Sequence, residues 1–448
     1  MRRSGRAPLL LGGTVLAVLA LLATVLGTVA LRAGGNAATG PLLAIVPLGG
    51  IAGQQNVIVD TTSGRVIVGT VGRIVFGHIQ GRVTIIDTRT GAVLRTISTA
   101  APPVLLALNP GDGRIVVVAR AGAAMSQVYL LDPTSGLASR GVLIGTPPGA
   151  MAIDGRANRA FIAGGGGSGA NGVYPYTVPS RVVTLDLRTM RVRRTVTVGP
   201  SPTGVAVDDV SGRVVVATAS GLQILDAAGS ALPRTFPRLT QLLAVDHRTH
   251  RVVVADDAGR VLLLDARTRQ LSAAVPMVGA PPVPGGVAID ERDGRVVLVT
   301  RGAINGSGIV MTMGLVRVLD GTTGRVLQKT PVDGQSAALA LWGDRAVITA
   351  YNSGASVTLF DPRHGQTPRA ISVGLVPSFV AVDGRAGRIV VGGNGSASPD
   401  MRPRDHDPWG WMPAWLRQTI PFAPPPPTPA PSGFQPPVPG VSVVDPTR

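Results

Sequence analysis

A short apolar strand ending in aspartate recurs along the chain. It appears at Val83-Thr-Ile-Ile-Asp87, Val128-Tyr-Leu-Leu-Asp132, Val182-Val-Thr-Leu-Asp186, Leu222-Gln-Ile-Leu-Asp226, Val261-Leu-Leu-Leu-Asp265, Val316-Arg-Val-Leu-Asp320, Val357-Thr-Leu-Phe-Asp361 and Val441-Ser-Val-Val-Asp445. A hairpin of the form apolar strand, Asp, turn, Gly-Arg, apolar strand precedes each copy. The hairpins are Asp60 to Val68, Asn109 to Val118, Asp154 to Ile162, Asp208 to Val216, Asp246 to Val254, Asp290 to Val299 and Asp383 to Val391, with Leu339 to Ile348 as a degenerate copy. Four strands in about forty residues, repeated, make one propeller blade per repeat. The β-branched content of the strands, and the Gly or Pro that interrupts them every ten or so positions, exclude a helical repeat.

The expected fold is therefore all-β, a single propeller of four-stranded blades A to D, with eight blades as the best count and seven as the alternative. Runs such as Arg213-Val-Val-Val-Ala217 are apolar at successive positions, as strands covered on both faces are. The two ends of the chain suggest how the ring closes. The last C strand stops at Asp445 with no D strand after it, and Thr39 to Gly50 looks like a D strand with no C strand before it. Pairing Leu42 to Leu48 beside Val441 to Val444 would complete the eighth blade and remove an open sheet edge.

The strand-Asp-turn-strand order of Val182 to Thr218, with its Val-Gly-x-x-Pro-x-Gly-Val-Ala-Val core, resembles the YVTN-type β-propeller repeat of bacterial and archaeal surface proteins. The resemblance covers roughly residues 39–393 and 441–448. It departs from that family where Val-Val-Ala-type strands replace Tyr-Val-Thr-Asn, and in having eight copies where seven is commoner. It implies a fold far more than a function, because related propellers include lactonases, lyases, cofactor-binding domains and plain surface modules.

Composition narrows the chemistry. The chain has no Cys and only five His among 448 residues, which removes disulfides, thiol nucleophiles and thiolate-ligated metals. No P-loop, dinucleotide fingerprint or nucleophile elbow stands in its proper context. No cofactor, no metal and no catalytic residue is assigned, and whether the chain is an enzyme stays open. The formal charge of +17 comes from scattered arginines rather than a basic block, so nucleic acid is not an expected partner.

Arg2, Arg3 and Arg6 precede a stretch, Ala7 to Leu31, without a charged residue. The division expected is a basic cytoplasmic segment at 1–6, a transmembrane signal-anchor helix at 7–31, a linker at 32–38 and the propeller at 39–448 on the extracytoplasmic side of the cell membrane. A cleaved signal peptide is the competing reading, since Thr28-Val29-Ala30 suits a signal peptidase.

The repeated Asp and Arg occur in every blade, whereas a catalytic site needs one special position. Asp87, Asp186, Asp265 and Asp361 are each followed two positions later by Arg89, Arg188, Arg267 and Arg363. These are read as structural, the Asp capping its turn and the Arg pairing with it. The A–B and C–D turns share one face of the ring, and the irregular B–C connections lie on the other. Those connections hold Tyr174, Tyr176 and Tyr351, and an insertion at about 394–440 rich in Pro and containing Trp409, Trp411 and Trp415. These six aromatics are the candidate binding residues, with an unknown protein, glycan or cell-wall polymer as partner and a monomer as the expected state. A packed lid is the competing account of the tryptophans. The competing function, a lactonase- or lyase-like enzyme, requires acidic and His side chains to converge at the channel mouth. Asp405, His406 and Asp407 are the irregular cluster of that kind in the sequence.

Overall fold

The hairpin Asp208-Asp-Val-Ser-Gly-Arg213 shows how each repeat starts. The Asp208 carboxylate accepts the Val210 N–H and the Ser211 hydroxyl, and Gly212 takes φ +67°, a conformation that costs glycine little. Strand B then runs back with Asp208 opposite Arg213. The same Asp-opposite-Arg register opens the hairpins at Asp60, Asp154, Asp246, Asp290 and Asp383. The left-handed position before strand B holds Gly64, Gly294 and Gly387 in three of these, and Asn158 and His250 in the other two.

The computed structural model describes residues 42–48, 56–75, 78–122, 125–165, 179–272, 275, 282–300, 314–332, 336–350, 356–364, 369–373, 375–396 and 439–447. Among these the strands form eight antiparallel sheets. In chain order they are blade 1 (56–99), blade 2 (103–144), blade 3 (148–197), blade 4 (204–236), blade 5 (239–265), blade 6 (282–332), blade 7 (336–372) and blade 8 (375–396 and 439–444 with 42–47). Each A strand touches the A strands of the blades before and after it all the way round, so the A strands form the inner ring of an eight-bladed propeller.

Strand Leu42–Pro47 pairs antiparallel with Pro439–Val444, placing Leu42 opposite Val444 and Val46 opposite Val441. The first described strand thus supplies the D strand of the last blade. The described residues of blade 5 show three of the expected four strands as a ladder. Two isolated bridges, Val261 with Val275 and Leu264 with Leu271, stand where the fourth would run.

The B strands carry the core. Ile115 to Ala119, Val214 to Ala217 and Val252 to Ala255 are all essentially unexposed, and each such valine gives roughly 1.5–3 kcal/mol on burial. Hydrophobic clusters join the sheets of successive blades, Phe161 of blade 3 packing with Val205 and Val214 of blade 4. The A strands are only half-buried, as in Pro103–Leu108, because their inner side faces the channel. The D strands are the exposed outer edge, as in Arg191–Thr197. The span expected at 7–31 lies outside the described residues, and no helix among those described is long and apolar enough to cross a membrane.

Candidate functional site

Every C-strand Asp spends its carboxylate on its own turn. Asp132 accepts the backbone N–H groups of Thr134 and Ser135, and Asp320 those of Thr322 and Thr323. Turn hydrogen bonds, the Thr134 N–H foremost for Asp132 and the Thr323 N–H for Asp320, hold both carboxyls below their ordinary range. At Asp186 burial would push the carboxyl up, but the Thr189 N–H and the Arg193 guanidinium outweigh it and bring it down to about 2.

The reading of the Arg two positions after each Asp needs correction. Arg89, Arg188, Arg267 and Arg363 give their backbone N–H to the Asp, and none forms a salt bridge with it among the described residues. At Asp87 burial would push the carboxyl up, but the Thr90 bonds and the Arg89 N–H outweigh it, and the Arg89 charge still helps to hold the carboxyl below its ordinary range. Arg363 instead reaches three other carboxylates: Asp344 at 2.9 Å, Asp293 at 3.1 Å and Asp290 at 3.3 Å.

On this same turn face, the A–B turns of five consecutive blades line one cavity of about 480 Å³, with Pro110, Arg156, Asp209, His247, Arg248 and Glu291 around it. Five innermost turns meet only at the ring axis, so this cavity is the channel mouth. His247 Nδ1 lies 3.1 Å from Asp209 Oδ1, Arg156 Nε is 3.4 Å from Asp209 Oδ2, and the His247 N–H donates to Glu291 Oε1 at 3.3 Å. Behind them His250 Nδ1 sits 2.8 Å from the fully buried carboxylate of Asp208. Asp208, Asp209 and His247 bring one potential ligand atom each to within 4.8 Å of one another. Their other partners compete with a cation: Asp208 is engaged by His250 and Ser211, and Asp209 has the Arg156 cation beside it.

Sequence reasoning missed this convergence because it assigned the turn face wholly to structure. One signal was present. His250 stands where most other hairpins have Gly and one has Asn158, at φ +58°, a conformation uncommon for residues other than glycine. A second residue missed is Arg317, in the middle of a C strand between Val316 and Val318. It is only 3% exposed, its Nη1 lies 3.3 Å from Thr300 Oγ1, and burial pushes its guanidinium down from the ordinary range. It sits beside the ends of the connection 301–313.

The candidate binding residues Tyr174, Tyr176, Tyr351, Trp409, Trp411 and Trp415 lie outside the described residues, as does Asp405-His406-Asp407. Their connections can still be placed by where they start and end. The chain leaves strand B at Gly164, Thr300, Ala350 and Ser396 and re-enters strand C at Arg181, Gly314, Ser356 and Pro439. All eight of these positions are at the strand ends opposite the Asp turns.

Fold and turns together define a β-propeller protein built from repeats. The fold is similar to that of BamB from Moraxella catarrhalis, with a TM-score of 0.52 and 14% identity over 80% of this chain and 94% of that chain. It is similar also to the dihydro-heme d1 dehydrogenase NirN solved in complex with DHE, with a TM-score of 0.53 and 16% identity over 78% of this chain and 73% of that one. At such identities the likeness is one of fold alone. No protein-family model and no curated protein matches the chain.

Proposed function

We propose that this chain is a YVTN-type propeller held at the cell membrane by residues 7–31, with its ring on the extracytoplasmic side acting as a binding module through the B–C face. The observation that carries the reading is the contrast between the two faces. The repeated Asp turns are short, alike and internally satisfied, while the connections 165–180, 301–313, 351–355 and 397–438 differ in length from blade to blade on the opposite face. A rigid ring with connections of unequal length leaving one face is arranged as a scaffold for recognition loops. Eight of the chain's 15 aromatic residues fall in those connections.

The test is capture from a cell-envelope extract by the full chain, compared with a chain lacking residues 401–418. Trp409→Ala, Trp411→Ala and Trp415→Ala should each weaken retention, by about 2 kcal/mol for a central anchor, with the melting midpoint nearly unchanged. A large loss of stability with unaltered capture would mark the insertion as a packed lid and defeat the reading. Protease added outside intact cells should digest the propeller; complete protection would overturn the orientation.

A hydrolytic propeller is the second reading, favoured by the meeting of Asp208, Asp209 and His247 at the channel mouth. It requires a cation to displace Arg156 from Asp209. Calorimetric titration with Zn²⁺ and Ca²⁺ of the native chain and of His247→Ala tests it, and heats that His247→Ala does not alter would remove it.

A further inference from the structure

The blades repeat one geometry with different side chains, so a group that is satisfied in one blade shows what is missing in another. At the junction of blades 6 and 7, Arg363 stands two residues after the C-strand Asp361. It receives Asp290, the A-strand Asp of the preceding blade, Asp293, three residues further on, and Asp344, just before strand B of its own blade. The same three places can be read at the junction of blades 8 and 1, where the ring closes. Arg89 stands two residues after Asp87. The A-strand Asp of the preceding blade is Asp383 and the residue three further on is Ala386, while the residue just before strand B is Gly64, in a four-residue turn from Asp60 to Arg65 where blade 7 has a two-residue turn from Trp342 to Arg345.

Arg89 pairs with none of these three carboxylates. Two are absent from the sequence, and the third is taken. Thr88 donates its hydroxyl to Asp383 Oδ2 at 2.6 Å, a bond that blade 7 cannot make because Pro362 holds the corresponding place. Asp383 Oδ1 accepts the N–H groups of Arg385 and Ala386, so both of its oxygens are engaged by the fold. Among the described residues Arg89 forms no salt bridge. What remains is a cavity of about 280 Å³ lined by Thr61, Thr62, Arg89, Asp383, Arg385 and Ala386, among others.

We propose that this seam cavity binds a polycarboxylate, with Arg89 taking from outside the chain the carboxylates that Arg363 takes from within it. A planar guanidinium donates to carboxylate oxygens in a forked geometry, and blade 7 shows that the four-residue turn of a preceding blade can bring two carboxylates against an Arg at this place. Arg385 adds a second cation, reaching across the seam so that its Nη1 is 3.3 Å from the Thr62 carbonyl oxygen. Thr61 and Thr62 add hydroxyl donors, while the Ser63 hydroxyl is already given to Asp60. The net charge of +17 raises the local concentration of any such anion. The site lies on the turn face, so it stands or falls independently of the B–C loops.

The experiment is calorimetric titration of the full chain with citrate, with a tripeptide of glutamate and with inorganic phosphate. Saturable binding of one equivalent of citrate or of the tripeptide is expected, at least tenfold tighter than phosphate, and the tighter of the two tells whether a free acid or a peptide is the better source. Arg89→Ala should weaken it at least tenfold. Ala386→Asp, which installs the carboxylate that blade 7 already has, should weaken it comparably with no loss of melting temperature, since the new side chain occupies the site from within. No saturable binding, preference for phosphate, or affinity untouched by both substitutions would overturn the proposal.

Discussion

Among the described residues, blades 5 and 8 each form three strands from their own stretch of chain, and what stands in the fourth place differs. Blade 8 borrows Leu42–Pro47 from the far end of the sequence, and its C strand becomes an interior strand with Val441, Val443 and Val444 fully buried. In blade 5 the described residues show two isolated bridges there. Ser272 adds to them, its hydroxyl accepting the Leu263 N–H while its own N–H donates to the Leu263 carbonyl. Blade 5 is held more firmly at its inner end, where His250 reaches Asp208 of blade 4 and Arg248 donates to the Glu291 carbonyl of blade 6. The difference teaches that the ring is closed by a full ladder from the far end of the chain, whereas the described links of blade 5 to its neighbours lie at its inner end.

The strongest way to break that comparison is to delete residues 42–47. Loss of the closing strand bares the edge of Pro439–Val444 and should cost at least the roughly 3–5 kcal/mol of a large core truncation, with concentration-dependent association visible by size exclusion. A monomer with an unchanged melting midpoint would show that closure contributes nothing.

Next in size is the inner pin of blade 5. Asp208→Ala leaves His250, Ser211 and a backbone N–H without their acceptor and should cost about 2–3 kcal/mol in chemical denaturation. His250→Gly should cost less, about 1 kcal/mol, because glycine suits the left-handed backbone there and only the cross-blade bond is lost. Equal costs for the two would mean that the bridge itself, rather than the satisfied carboxylate, carries the junction.

Smaller again is Ser272→Ala, at about 1 kcal/mol for one hydrogen bond to a strand N–H. Blade 2 provides the control. Its Ser139 accepts the Leu130 N–H in the same way, but there strand Val142–Ile144 continues the ladder, so Ser139→Ala should unfold no earlier than Ser272→Ala.

The smallest effect belongs to a complete blade. In blade 3 the residue seven after the C-strand Asp is Arg193, which pairs with Asp186. Since Arg193 is 57% exposed, solvent screening leaves Arg193→Ala a cost of only about 0.5–1 kcal/mol at pH 7. The Asp186 carboxyl is depressed from 3.8 to about 2, so its contribution is full above pH 3.8 and is lost as pH falls through about 2. The gap between native chain and mutant should therefore close in denaturation measured near pH 2; a gap that persists there would show that Arg193 acts by packing.

Much of this was legible in the residues. Strands, hairpins and the turn Asp residues are local signals: a carboxylate two or three positions before the N–H groups it caps leaves a spacing that repeats eight times. Closure by residues 42–48 was legible too, since a lone D strand and a lone C strand at opposite ends have one economical solution. The isolated bridges of blade 5 were not, because Arg267-Thr-Arg-Gln-Leu-Ser272 has the same turn chemistry as the other blades. Nor was the half-exposure of the A strands, whose apolar runs read like those of the B strands until the channel beside them is known.

The sequence by itself determined the order of strands in each repeat and the residues that cap each turn, because these act within a few positions of one another, while it left eight blades against seven to the structure. Only the tertiary structure decided which guanidinium finds a carboxylate. Arg89 and Arg363 occupy the same place in the same turn, yet the partners of Arg363 come chiefly from the preceding blade, about seventy residues earlier at Asp290 and Asp293, and those of Arg89 would have to come from near residue 383, almost three hundred residues later. A contact across two blades depends on how the ring brings their turns together, and no local spacing encodes that distance.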